Sequence, residues 1–134
     1  MDIRFLIIFL SIASQYGPGT MEMVVENRQN GNAWVSLPVE TPDVDGFIAV
    51  QDCENLGDTW YIQNPINGKW ESFWIVDCAR PGDGSAAWME ENNIAMEVDY
   101  QSAVRWNTVG RGIKVKWAKE NPYDYLSSIG KVKE

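Results

Sequence analysis

Short apolar runs alternate with turn-forming clusters along most of the chain. Met21–Val25, Phe47–Val50, Thr59–Ile62, Trp70–Val76 and Ile113–Trp117 are rich in β-branched and aromatic residues, as strands are. Between and around them lie Tyr16-Gly-Pro-Gly19, Asn30-Gly31-Asn32, Pro38 to Gly46, Asn55 to Gly57, Asn64-Pro-Ile-Asn-Gly68, Pro81-Gly-Asp-Gly84 and Gly110-Arg-Gly112. This rhythm of brief strands and Gly/Pro/Asn punctuation predicts an all-β barrel or sandwich. Asn67-Gly68, between Trp60-Tyr-Ile and Trp70-Glu-Ser-Phe-Trp, is the clearest hairpin signal. Lys114-Val-Lys-Trp117 alternates polar and apolar, the pattern of a half-exposed strand.

Two stretches have a helical pattern. Ala86 to Asn92 forms a turn or short helix. Asp99-Tyr-Gln-Ser-Ala-Val-Arg-Trp106 opens on a good N-cap and brings Tyr100, Ala103, Val104 and Trp106 together on the helix surface. The tail 120–134 is polar, with Tyr123, Tyr125, Leu126 and Ile129 as its apolar anchors.

The first thirteen residues read as a leader. Met1 to Arg4 is a short polar n-region, Phe5 to Leu10 with Ile12 an apolar h-region, and Ser11-Ile12-Ala13 a small-residue cleavage site. The apolar run falls short of the roughly 20 residues that span a bilayer. Cleavage there leaves one domain, 14–119, followed by the tail, and implies a secreted, extracellular protein. The competing reading is a buried N-terminal strand, for which Phe-Leu-Ile-Ile-Phe-Leu has suitable composition.

Composition narrows the partners. A net charge of −8 argues against nucleic acid and anionic membrane surfaces, which recruit basic patches, and favours neutral or cationic partners. Seven tryptophans exceed what one small core absorbs, so a few exposed aromatics are expected, suited to stacking on sugars. Cys53 and Cys78 each follow an aspartate at the end of an apolar run. In an oxidising compartment they make a plausible disulfide, worth about 3–4 kcal/mol in the chain-entropy picture; two buried thiols are the alternative. No metal or cofactor is expected. The cysteines lack further zinc ligands, and Asp83 lacks the additional oxygens of a calcium site.

The order of the pieces carries a resemblance. Ala49-Val-Gln-Asp-Cys-Glu-Asn-Leu-Gly-Asp-Thr59, Asn67-Gly68, Val76-Asp-Cys-Ala-Arg-Pro-Gly82, Glu97-Val-Asp-Tyr-Gln-Ser-Ala103 and the Gly-rich approach to Ile113 follow one another as in the six-stranded double-psi β-barrel group. That group includes rare-lipoprotein-A-like lytic transglycosylases, expansins and barwin-like endoglucanases. Ser14-Gln-Tyr16-Gly17 looks like the motif that opens mature barrels of the group. The likeness covers roughly residues 14 to 117. It implies a monomeric, polysaccharide-directed protein of the cell wall. Asp99 would be the groove acid or base, Asp77 its partner carboxylate, and Tyr16 a groove aromatic, with Trp88 added as a stacking surface. Catalytic members of the rare-lipoprotein-A branch carry a histidine; this chain has none, so imidazole chemistry is excluded.

Each assignment has a plainer counterpart. Asp99 is also the expected N-cap of the following helix, worth about 1 kcal/mol. Asp77 is also a turn-forming acid before Cys-Ala-Arg-Pro-Gly. Three functions therefore stand: glycan cleavage using aspartate as acid and base, glycan binding of the expansin type without cleavage, and a secreted barrel that presents loops to a protein partner.

Overall fold

The computed structural model describes residues 5–80 and 82–125. The leader's n-region, Pro81, and the tail anchors Leu126 and Ile129 fall outside that range. Six strands, β1 (Phe9–Gln15), β2 (Gly46–Val50), β3 (Thr59–Gln63), β4 (Trp70–Cys78), β5 (Ile94–Val98) and β6 (Ile113–Ala118), close into a barrel in the order β1-β5-β2-β4-β3-β6. The all-β, six-stranded expectation is met. β1·β5 and β2·β4 are parallel and the other four pairings antiparallel. Both parallel pairs carry a register shift, at Ile12/Ala13 and at Ile48/Ala49. This mixed closed barrel is compatible with a double-psi fold.

Period-2 alternation sends one set of side chains inward. Ile48, Val50, Trp60, Ile62, Phe73, Ile75, Met96, Val98, Val115 and Trp117 fill the interior. Phe9, Trp117 and Trp60 stack in series there, with ring centroids 4.3 and 4.8 Å apart. β4 is buried on both faces. Phe73 and Ile75 enter the barrel, while Trp74 and Val76 join Met21, Val25 and Leu37 in a second core outside it. That double burial is why Trp70–Val76 reads as a continuous apolar run rather than an alternating one.

More helix is present than the sequence suggested. α2 (Ser85–Glu91) and α3 (Tyr100–Arg105) lie where the pattern placed them. α1 (Thr20–Gln29) replaces the strand expected over Met21–Val25. Met21, Val25 and Arg28 are its buried residues, spaced i, i+4, i+7, and they lay one helical face onto the outer side of β4. β-branched content suggested a strand, but this helical spacing and the second core prevail.

The β3–β4 hairpin forms where Asn67-Gly68 predicted it, with a wider loop. The Asn64 carbonyl accepts the Gly68 N–H at 2.9 Å, its Oδ1 accepts the Ile66 N–H at 2.8 Å, and Gly68 takes φ +74°. Cys53 and Cys78 form a disulfide that ties the 3₁₀ turn Cys53–Asn55 to the end of β4. Beyond β6 the Tyr123 hydroxyl accepts the Trp70 N–H at 3.1 Å, which fastens the start of the tail.

β1 includes residues 9–13, the stretch that the leader reading assigns to the h-region and cleavage site. Here Phe9 to Ala13 pair with Trp117 to Ile113 of β6. Among the described residues no helix is long and apolar enough to cross a membrane.

Candidate functional site

The site is built on the outward face of three adjacent strands, β5, β2 and β4. Ala49 of β2 stands opposite Glu97 of β5 on one side and Asp77 of β4 on the other. Partners in register share a face of the sheet, so both carboxyl groups emerge at the same level. Tyr16 follows β1, and its N–H donates to the Val98 carbonyl at 2.9 Å, which brings its ring beside them. A groove of about 250 Å³ results, lined by Tyr16, Trp34, Asp77, Arg80, Asp83 and Glu97 among others. A second hollow continues from it past Met89 to Trp88. Trp34 and Trp88 are 47% and 49% exposed, so two accessible indole faces flank the acids.

Asp77 is fully engaged. Oδ2 accepts the Tyr16 hydroxyl at 2.6 Å; Oδ1 accepts Arg28 Nη2 at 2.6 Å and the Cys78 N–H at 3.0 Å. Arg28 is 4% exposed and also donates Nη1 to the Val35 carbonyl at 2.8 Å, with its guanidinium 5.7 Å from the Trp34 ring centroid. One buried arginine on α1 therefore fixes the carboxylate and the loop that bears Trp34. Its Nε has no hydrogen-bond partner among the described residues. The disulfide at Cys78 pins the strand end next to Asp77.

Electrostatics mark out Glu97 and Tyr16. Burial, and then the charge of Asp77, push the Glu97 carboxyl above the usual glutamate range. Burial, the hydrogen bond to Asp77 and the nearby acids drive the Tyr16 phenol far up, so it stays a donor. At the rim, the Ser85 N–H bonds Asp83 at 2.8 Å and holds its carboxylate below the usual aspartate range.

The sequence-derived residues divide. Tyr16 and Asp77 meet in the groove, and Trp88 lies along its continuation. Asp99 lines neither hollow. It is 4% exposed, and its Oδ1 accepts the Phe47 N–H at 3.0 Å and the Ser102 hydroxyl at 2.7 Å. Its Oδ2 accepts the Ser102 N–H at 3.2 Å, the N-cap bond of α3. A Cβ at Gly46 would sit 2.6 Å from Asp99 Oδ1 and from Ser102 Oγ, so a side chain is excluded beside this cap.

Glu97, Arg28 and Trp34 were not singled out from sequence. A signal existed for two of them: Glu97 alternates with inward Met96 and Val98, and Arg28 continues the Met21/Val25 spacing. Trp34 sits in a loop and carries no such pattern. Among the described residues no cluster of three or more His, Cys, Asp or Glu is disposed to hold a metal. No model of a known protein family matches the chain, and no characterised protein is significantly similar to it.

Proposed function

We propose that this protein is a double-psi-type barrel that acts on a polysaccharide in the groove between Trp34 and Trp88, with Glu97 as its proton donor. The observation that carries the reading is the juxtaposition of a half-buried Glu97, its carboxyl pushed above the usual glutamate range by burial and by Asp77, with an Asp77 held by Arg28 and Tyr16. An upward shift of this kind favours the protonated carboxyl that delivery of a proton to a glycosidic oxygen requires. Once the proton has passed to the leaving oxygen, the Glu97 carboxylate is positioned to take one back from a sugar hydroxyl that closes on the anomeric carbon. That is lytic cleavage by a single acid/base. Asp77, with both oxygens occupied, stabilises positive charge developing on the sugar ring rather than moving protons. The disulfide and the exposed indoles suit an oxidising, glycan-rich setting outside the cell.

Purified wall polysaccharides incubated with the protein should yield oligosaccharides with anhydro ends by mass spectrometry. Glu97→Gln should abolish them with the fold retained and a melting temperature no lower than that of the parent protein. Products that persist undiminished in Glu97→Gln would refute the assignment.

The full engagement of Asp77 also favours a second reading, glycan binding without cleavage, because two-carboxylate hydrolysis lacks its second free group. In that case no products form, glycan pull-down survives Glu97→Gln, and Trp34→Ala or Trp88→Ala weakens it.

A further inference from the structure

We propose that the outward face of β1 and β6, with the residues leading into β1, is a docking surface for an anionic lipid bilayer. Phe5, Ile7, Ile8 and Leu10 are 74%, 64%, 48% and 63% exposed, an apolar strip at one side of an otherwise well-packed barrel. Leu10 stands opposite Lys116 and Ile12 opposite Lys114, so apolar and basic side chains alternate across the two strands on the solvent side. Lys114, Lys116 and Lys119 are all exposed.

Charge is segregated along the chain. Residues 5–19 contain no charged side chain, and 107–119 contain Arg111 and these three lysines with no acid. The net charge of −8 is carried largely elsewhere; the acid next in sequence, Glu120, lines a hollow with Phe5, Ile7, Phe9 and Lys119. The whole-chain charge averages over this division.

Aliphatic side chains that enter the acyl boundary, with lysines reaching the headgroups, are the combination that holds proteins at anionic interfaces. The same lysines oppose self-association, because a two-fold contact would set Lys114 and Lys116 near their own copies. The placement also leaves the groove free. In the ring β1-β5-β2-β4-β3-β6, β6 lies three places from β2, on the opposite side of the barrel from the strand at the centre of the candidate site.

The full-length chain should co-sediment with vesicles enriched in phosphatidylglycerol and stay in solution with pure phosphatidylcholine, with retention falling as salt is added. Lys114→Glu/Lys116→Glu should weaken the partition at least twentyfold, from about fivefold per lysine at a membrane surface. Ile8→Ser/Leu10→Ser should weaken it with the same lipid preference. These side chains point outward, so the circular dichroism spectrum and melting temperature should be retained and serve as the folding control. The proposal is overturned by equal binding to both vesicle types, by absence of binding to anionic vesicles, or by charge reversal without effect. A dimer abolished by Leu10→Ser, or retention on polyglutamate without vesicle binding, would overturn it in favour of a protein partner. So would a native mature chain that begins at Ser14 and lacks the apolar strip.

Discussion

Asp77 and Glu97 stand level with each other on either side of Ala49, one bound by an arginine and a tyrosine, the other pushed by burial and by that neighbouring acid above the usual glutamate range. The two carboxyl groups share a groove and differ in environment, and most of the testable behaviour of the site follows from that difference.

The first consequence is a pH dependence assignable to Glu97. Its folded pKa is raised, so its favourable contribution is complete below the unfolded value of about 4.3 and is lost as pH rises through the folded value. Glu97→Gln, which cannot ionise, should therefore melt higher than the parent protein at neutral pH, and the gap should close as pH falls below that of an ordinary glutamate. Melting curves across this range test the sign; a gap that widens on acidification would contradict the assignment.

Arg28 should be more costly to lose alone than together with its partner. Arg28→Met leaves Asp77 without its counter-charge beside the outer core, a change of about 3–5 kcal/mol for a buried pair. Arg28→Met/Asp77→Asn should recover a large part of that loss in urea unfolding. Additive losses would mean that the two side chains are energetically independent.

Asp99 should behave as a structural residue. Asp99→Ala removes the N-cap of α3 and leaves the Phe47 N–H without its acceptor, together about 3 kcal/mol. Calorimetry should show a clear fall in melting temperature, in contrast to Glu97→Gln. A normal melting temperature with lost glycan cleavage would instead return Asp99 to the chemistry.

A chain that begins at Ser14 should not close the barrel. The entire β1–β6 ladder runs through Phe9 to Ala13, and Phe9 also stacks on Trp117. Removing residues 1–13 should abolish the cooperative thermal transition, which near-ultraviolet circular dichroism of the tryptophans would report. A sharp transition in the truncated chain would show that the barrel tolerates the loss.

The barrel was legible because its cues are local. Turn clusters separate the strands, Asn67-Gly68 marks the hairpin, and Asp99 announces α3. The matching Asp-Cys runs left a Cys53–Cys78 disulfide and two buried thiols both open, and the structure shows the disulfide. α1 was not legible as a helix, since Val24 and Val25 suggest a strand and only packing against Trp74 and Val76 reveals which spacing counts. The site was half legible. Asp77 and Tyr16 could be placed through a resemblance, but the pairing of Asp77 with Glu97 depends on which strands flank β2. That register depends on one parallel pairing, β2 with β4, and one antiparallel pairing, β2 with β5, between strands far apart in sequence, which no local pattern encodes.

Both neighbours of β1 are late in the chain, residues 94–98 and 113–118. On the ribosome, the apolar strand β1 therefore has no partner until residues 94–118 have been synthesised, and barrel closure waits on β5 and β6. For that interval Phe9 to Ala13 is a hydrophobic segment of the nascent chain that no other strand of the barrel shields. The time for which these residues stay uncovered is set by how soon β6 arrives.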